Sequence, residues 1–186
     1  DKVVKYPFGY GLSYTDFTQE LESSSMENGE ITLNVKVTNT GDIAGKDVVE
    51  VYYNPPYTNG GIEKSTANLI GYEKTNELKP GESQTVTISF IAEDMASYDY
   101  LENGCYVLEA GDYEISINSD SHNVIDSVTY TVDEDIVYDE ANPRSTDLTA
   151  AVNQFGYVDG HLTYLSRKDG FKNYDETTAA PASLSM

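Results

Sequence analysis

From Ile31 onward, apolar and polar residues alternate: Ile31, Leu33, Val35 and Val37 against Thr32, Asn34, Lys36 and Thr38. A period of two sends one set of side chains into a core and the other into water, which predicts a strand over 30–38. Asn39-Thr40-Gly41-Asp42 is a cluster of turn formers, and it marks a loop. Val48-Val49-Glu50-Val51-Tyr52-Tyr53 is then β-branched and aromatic until Pro55-Pro56 stops it, predicting a second strand over 47–54. With each inward aliphatic contributing ~1.5–3 kcal/mol on burial, these two strands are the expected centre of a sandwich core.

The same pattern recurs on either side. An edge-like strand is expected over 17–26, and a further one over 68–74 that carries Leu69, Ile70 and Tyr72. Leu78-Lys79-Pro80-Gly81-Glu82 has the Pro-Gly order of a type II turn, and Val86, Ile88 and Phe90 alternate behind it. Residues 93–97 hold one helical turn at most. The segments 106–109 and 113–118 flank Ala110-Gly111-Asp112 as a hairpin signal, and 124–132 closes the series. Strands at short intervals with turn chemistry between them predict an all-β fold: an immunoglobulin-like or fibronectin type III-like antiparallel β-sandwich of about seven strands. After Val132 the pattern is lost. An acidic patch from Asp133 to Glu140 is followed by Pro143, and 148–155 is the expected site of a short helix capped by Thr146 or Asp147. This mostly irregular tail has too little apolar content for its own core, so it needs a partner surface.

Composition narrows the partners. Eleven basic residues against 32 acidic ones give a formal charge of −21, which disfavours nucleic acid and anionic membrane. No apolar run approaches the roughly 20 residues of a membrane span. The first residues show no leader pattern, and the chain reads as beginning inside a longer protein. Cys105 is the single cysteine, so it reads as a small buried hydrophobe rather than half of a disulfide. The lone cysteine and the lack of a leader in this stretch favour a cytoplasmic parent and leave an extracellular one open. His122 and His161 have no Cys/His spacing for zinc and read as surface or interface residues. Asn118 to Asn123 lacks the Gly and terminal Glu of a calcium loop. Gly11-Leu12-Ser13-Tyr14-Thr15 has Thr where a nucleophile elbow needs its second Gly, and Ser13 reads as structural. No cofactor or metal is expected.

Several motifs then stand in a telling order. Tyr6-Pro-Phe-Gly-Tyr-Gly-Leu-Ser-Tyr-Thr15 resembles the segment that joins the α/β sandwich domain of family 3 glycoside hydrolases to their fibronectin type III-like domain. Val35-Lys-Val-Thr-Asn-Thr-Gly-Asp42, Ala44-Gly-Lys-Asp-Val-Val49 and Tyr53-Asn-Pro-Pro56 resemble the first half of that domain. Leu69-Ile-Gly-Tyr-Glu-Lys74, Leu78-Lys-Pro-Gly-Glu-Ser83 and Ala110-Gly-Asp-Tyr-Glu-Ile115 resemble its second half. Asp159-Gly-His-Leu-Thr-Tyr-Leu-Ser-Arg167 is similar to the connector that leads into the catalytic barrel in permuted members.

The resemblance implies a division into a connector (1–13), a sandwich (14–132) and a linker (133–186) toward a barrel. It implies a β-glucosidase-like, bacterial parent that works by retention, with two carboxylates about 5–5.5 Å apart. Neither of the family's catalytic motifs occurs here, so no catalytic residue is assigned to this chain. The expected role is a structural module between the α/β sandwich and barrel domains. Tyr6, Phe8, Tyr10, Tyr14, Tyr57, Tyr157 and Tyr164 are the expected contact residues. The alternatives are a stand-alone glycan-binding module, using Tyr52, Tyr53, Tyr57 and the 55–61 loop, and an immunoglobulin-like adhesion or spacer domain.

Overall fold

The computed structural model describes residues 4–158, 160 and 163–179. The ten strands in it are β1 (Phe17–Glu27), β2 (Glu30–Asn39), β3 (Val48–Asn54), β4 (Asn68–Lys74), β5 (Ser83–Ile91), β6 (Ser97–Asp99), β7 (Cys105–Leu108), β8 (Gly111–Asp120), β9 (Asn123–Val132) and β10 (Ile136–Tyr138). They belong to two compact units. The first holds Asp1–Pro56, Ser65–Ala96 and Glu109–Glu134; the second holds Tyr57–Lys64, Ser97–Leu108 and Asp135–Met186.

The first unit is the expected sandwich, and its seven strands form two antiparallel sheets. One has the order β1-β2-β5 and the other β4-β3-β8-β9. The two strands that open the pattern therefore lie in opposite sheets. Ile31, Leu33, Val35 and Val37 of β2 face Val49 and Val51 of β3 across the core, joined by Ile115 and Ile117 of β8, all fully buried. Alternation read from the sequence is alternation of burial in the fold.

The end of β2 is held by a polar knot. Asn39 is fully buried. Its Oδ1 accepts from Thr15 Oγ1 at 2.9 Å and from the Gly41 amide at 3.0 Å. Its Nδ2 donates to the carbonyls of Ile43 and Leu78, both at 2.8 Å. Its backbone N–H donates to Glu82, and its carbonyl accepts from Gly81. Gly41 is required by close approach, since a Cβ there would lie 2.2 Å from Thr15 Oγ1. One side chain thus fastens the entry to β1, the β2–β3 loop and the Pro80-Gly81 turn. That turn closes by a bond from Glu82 N to Lys79 O.

Two expectations need correction. Segments 106–109 and 113–118 do not pair as a hairpin: β7 lies between β6 and β10, while β8 lies between β3 and β9. Both edges of each strand are thus taken by other partners. What Ala110-Gly111-Asp112-Tyr113 builds instead is a tyrosine corner, with Tyr113 buried and its hydroxyl donating to the Glu109 carbonyl at 3.1 Å. The helix expected over 148–155 is also absent. The Asp147 carboxylate, one of the two expected caps with Thr146, is turned back onto Arg144 at 2.8 Å and so is not free to cap a following helical turn. The Arg144 hydrogen bond holds the Asp147 carboxyl below its ordinary range. The one α-helical turn of the described tail is Tyr174–Thr178.

Removing the knot tests how much it carries. Asn39→Ala leaves two carbonyls, one hydroxyl and one amide without their shared partner, and the expected loss is about 3 kcal/mol. Urea denaturation should show a lowered midpoint with an unchanged slope. Thr18→Ala, on the exposed face of β1, should stay within about 0.5 kcal/mol of the parent.

Candidate interdomain contact site

In the first unit the site is the segment before β1. Residues 7–10 form a turn closed by Tyr10 N to Pro7 O at 3.0 Å, and the Phe8 carbonyl accepts from Ser121 N at 2.8 Å. The turn rests on the outward face of β3. There Tyr52 donates to Glu50 Oε2 at 2.7 Å, and a Cβ on Gly9 would come within 2.2 Å of that same oxygen. Gly9 also has φ +85, so contact and conformation both demand glycine. Burial first, and then the hydrogen bond to Glu50, push the Tyr52 phenol above its ordinary range. Ser13 accepts the Thr15 N–H at 3.3 Å and so feeds the Asn39 knot, consistent with a structural part.

The backbone here is anchored but the side chains are not. Tyr14 is 95% exposed, Leu12 89%, Tyr6 74% and Phe8 68%, with Tyr10 also exposed against Tyr6, ring centres 5.3 Å apart. Five large apolar side chains of one short segment are thus exposed.

The second unit brings the tail together with two segments from inside the sandwich sequence. Residues 166–169 clasp the 57–64 loop. Glu63 accepts from Ser166 Oγ and from Arg167 N, the latter at 3.0 Å. The Arg167 guanidinium donates to the Lys64 carbonyl and stacks over the Tyr57 ring, 4.1 Å from its centre. Asn59 and Asp169 exchange two hydrogen bonds of 2.9 Å. Arg144 stacks likewise over Tyr106 at 3.8 Å, and Tyr106 meets Tyr98 edge-on at 5.5 Å. Arg144 and Arg167 are the two arginines of the whole sequence, and each covers a tyrosine.

Between β6 and β7, the Asp99 carboxylate takes the N–H groups of Leu101, Glu102 and Asn103 and the Asn103 amide, at 2.7–3.2 Å. Burial opposes its charge, but those donors outweigh it, and its pKa lies below the ordinary value. Cys105 is buried, and burial pushes its thiol up.

Of the seven expected contact residues, Tyr6, Phe8, Tyr10 and Tyr14 are gathered on one segment of the first unit. Tyr157 and Tyr164 are exposed in the second unit, and Tyr57 is half-buried beneath Arg167. Tyr52 is buried on β3, so it offers no open stacking face. His122 closes the β8–β9 turn through its backbone N–H to Asp120, while His161 lies outside the described residues. The arginine clasps were missed in the sequence, although two arginines among 186 residues were a readable oddity.

Known proteins resemble this chain over part of their own length. Residues 47–121 match the model for the fibronectin type III-like domain. The chain is 39% identical over 160 residues to β-glucosidase A of Butyrivibrio fibrisolvens, covering 76% of this chain and 19% of that protein. It is 38% identical over 152 residues to a β-glucosidase of Ruminococcus albus, covering 78% of this chain and 16% of that one. Among solved structures, β-glucosidase 3B of Thermotoga neapolitana in complex with α-D-glucose superposes with a TM-score of 0.65 at 36% identity, over 72% of this chain and 18% of that one. The β-glucosidase of Kluyveromyces marxianus in complex with glucose superposes with a TM-score of 0.67 at 33% identity, over 73% and 16%. The chain spans less than a fifth of the length of these relatives.

Two measurements probe the second unit. Arg167→Ala removes one stacked cation and one hydrogen bond, together about 1–2 kcal/mol, so amide exchange in 57–64 and 163–169 should accelerate about tenfold. For Asp99, the folded pKa is depressed, so its contribution is present above the ordinary carboxylate value and fades as pH falls through the folded value. Denaturation from pH 7 down to about pH 3 should show the parent losing stability on this account. Asp99→Asn, with no carboxylate to protonate, should be less stable at neutral pH and lose less on acidification.

Proposed function

The chain carries a fibronectin type III-like domain shared with family 3 β-glucosidases, and from that premise we propose that it is a non-catalytic brace between other domains of a longer glycoside hydrolase. In this reading, residues 1–13 connect to a preceding α/β sandwich domain and 14–132 are the brace itself. Residues 133–186 lead toward a catalytic barrel, the order of the permuted members. The parent's reaction is the retaining hydrolysis of terminal β-glucosides or related glycosides.

One observation carries the proposal: Tyr6, Phe8, Tyr10, Leu12 and Tyr14 are exposed on one segment, whose backbone is held at Phe8 by Ser121 and packed at Gly9 against the Glu50–Tyr52 pair. Solvent gives no reason to hold five large apolar side chains outward from an anchored chain, whereas a neighbouring domain does. A stable contact of this kind buries on the order of 1,200 Å² or more. Tyr157 and Tyr164 are the corresponding contacts on the tail side, and Tyr57 contributes by seating Arg167.

The test is complementation. This chain and the separately expressed flanking domains should each be silent on a chromogenic β-glucoside, and activity should return on mixing. Leu12→Ser combined with Tyr14→Ser should weaken that reconstitution by at least about tenfold, because burial of either side chain is worth ~1.5–3 kcal/mol. Hydrolysis by the isolated chain would overturn the proposal.

A further inference from the structure

The tail does not lie against the rest of the second unit along its whole length. Among the described residues from 148 to 157, no group hydrogen-bonds to 57–64 or 97–108, and Leu148, Val152 and Phe155 are exposed. Contact resumes at Ser166. The Ser166 hydroxyl and the Arg167 N–H both donate to the Glu63 carboxylate, and Asp169 is paired with Asn59. The Arg167 guanidinium donates to the Lys64 carbonyl at 2.6 Å and lies over the Tyr57 ring. The segment that makes these bonds is also folded on itself. Asn173 accepts from the Ser166 N–H at 3.1 Å and donates to the Tyr164 carbonyl at 2.8 Å, while Gly170 N closes on Arg167 O at 3.0 Å. Asp169, Gly170 and Phe171 have φ of +54, +73 and +61, a conformation that Asp and Phe keep only where their surroundings fix it. Residues 163–174 are thus a hook closed by its own bonds.

We propose that 57–64 is a docking seat and 163–174 its ligand, recognised by side-chain chemistry and not merely kept near by the chain that leads to it. Each seat group selects what it meets. The Glu63 carboxylate takes two donors side by side, which consecutive Ser166 and Arg167 present. The Asn59 amide gives one hydrogen bond and takes one, and Asp169 answers with its carboxylate and its N–H. The Tyr57 ring beside the Lys64 carbonyl fits a planar cation that stacks while its edge donates, which arginine does and lysine does not. The seat therefore reads Ser-Arg-x-Asp on a closed hook. Because the hook is ordered by its own bonds, docking costs little further conformational entropy. The intervening chain is a tether, and its contribution is to raise the local concentration of hook at seat. All of these contacts lie within the second unit, so the proposal stands whether or not the brace reading holds.

The experiment cuts the tether in the full chain. A protease recognition sequence in place of 148–153 lets the folded protein be cleaved once, leaving the hook on the smaller piece. The two pieces are then followed by size-exclusion chromatography at roughly 100 μM, above the micromolar dissociation constant expected of a few charge-assisted contacts. Co-elution in buffer and separation in urea are the expected result. Excess synthetic peptide 163–179 should displace the cleaved piece, and a scrambled peptide should not. Arg167→Ala and Glu63→Gln should each weaken retention at least about tenfold. Lys172→Ala, an exposed change on the hook that removes no bond to the seat, should leave it unchanged. An unaltered β-sheet circular dichroism signal in each uncut variant shows that release reports the seat and not unfolding. Separation of the parent's pieces in buffer, or retention that neither Arg167→Ala nor Glu63→Gln weakens, overturns the proposal. Neither outcome bears on complementation, so the two readings fall separately.

Discussion

A buried amide must satisfy two donors and two acceptor sites, and Asn39 satisfies all four inside the protein. Its position explains why so much depends on it. β2 is the middle strand of its sheet, and the chain leaving it must cross to the opposite sheet at β3. At that crossing the backbone stops pairing with neighbouring strands, and its polar groups need other partners. The Asn39 side chain supplies them for three separate segments at once. The hydrophobic faces of β2 and β3 drive the two sheets together without fixing how they register. Hydrogen bonds, being directional, supply that missing geometry.

The sandwich was legible because its signal is local and repeated. Period-two alternation in β2 and β5, and turn chemistry at Pro80-Gly81, each need only a few neighbouring residues to be read. The errors came where the outcome depends on distant partners. Ala110-Gly111-Asp112 is compatible with a hairpin, but Tyr113 reaches back to Glu109 and β8 is claimed by β3 and β9. The Asp147 side chain is a good cap by type, yet Arg144 takes it first. In both places local propensity was sound and a competing contact won. The tail posed the same problem on a larger scale. Its need for a partner surface was readable from its lack of apolar residues. That the 57–64 loop supplies one was not readable, because the bonds joining Glu63 to Ser166 and Arg167 span more than a hundred residues.

The second unit has a small buried apolar set, Ile62, Cys105, Val107, Leu108 and Tyr138, and adds polar contacts to it in a chain with a large excess of acid. Those contacts are arginine on tyrosine, carboxylate on backbone N–H, and Asn59 paired with Asp169. Arginine suits this work because a planar guanidinium can stack on a ring while its edges still donate. Arg167 does both at once, with Tyr57 beneath it and the Lys64 carbonyl at its edge. Asp99 organises its own loop by the complementary device, an anion collecting N–H groups that a tight turn leaves unpaired. Each such contact is worth little, and the unit depends on having several that share the same few residues.

The connector before β1 inverts the usual relation between order and burial. Exposed aromatic segments are commonly free to collapse onto whatever apolar surface is near. Here Gly9 is wedged against Glu50 and Tyr52 while Phe8 is tied to Ser121, so collapse is prevented and the rings stay outward. Holding them there carries a hydration cost that the isolated chain cannot recover. Pre-ordering has a compensating effect: a partner that meets these rings need not spend binding free energy on ordering the backbone beneath them. A segment that is both rigid and apolar is therefore poorly suited to water and well suited to a docked neighbour. That physical asymmetry, more than any single motif, is what the proposed docking rests on.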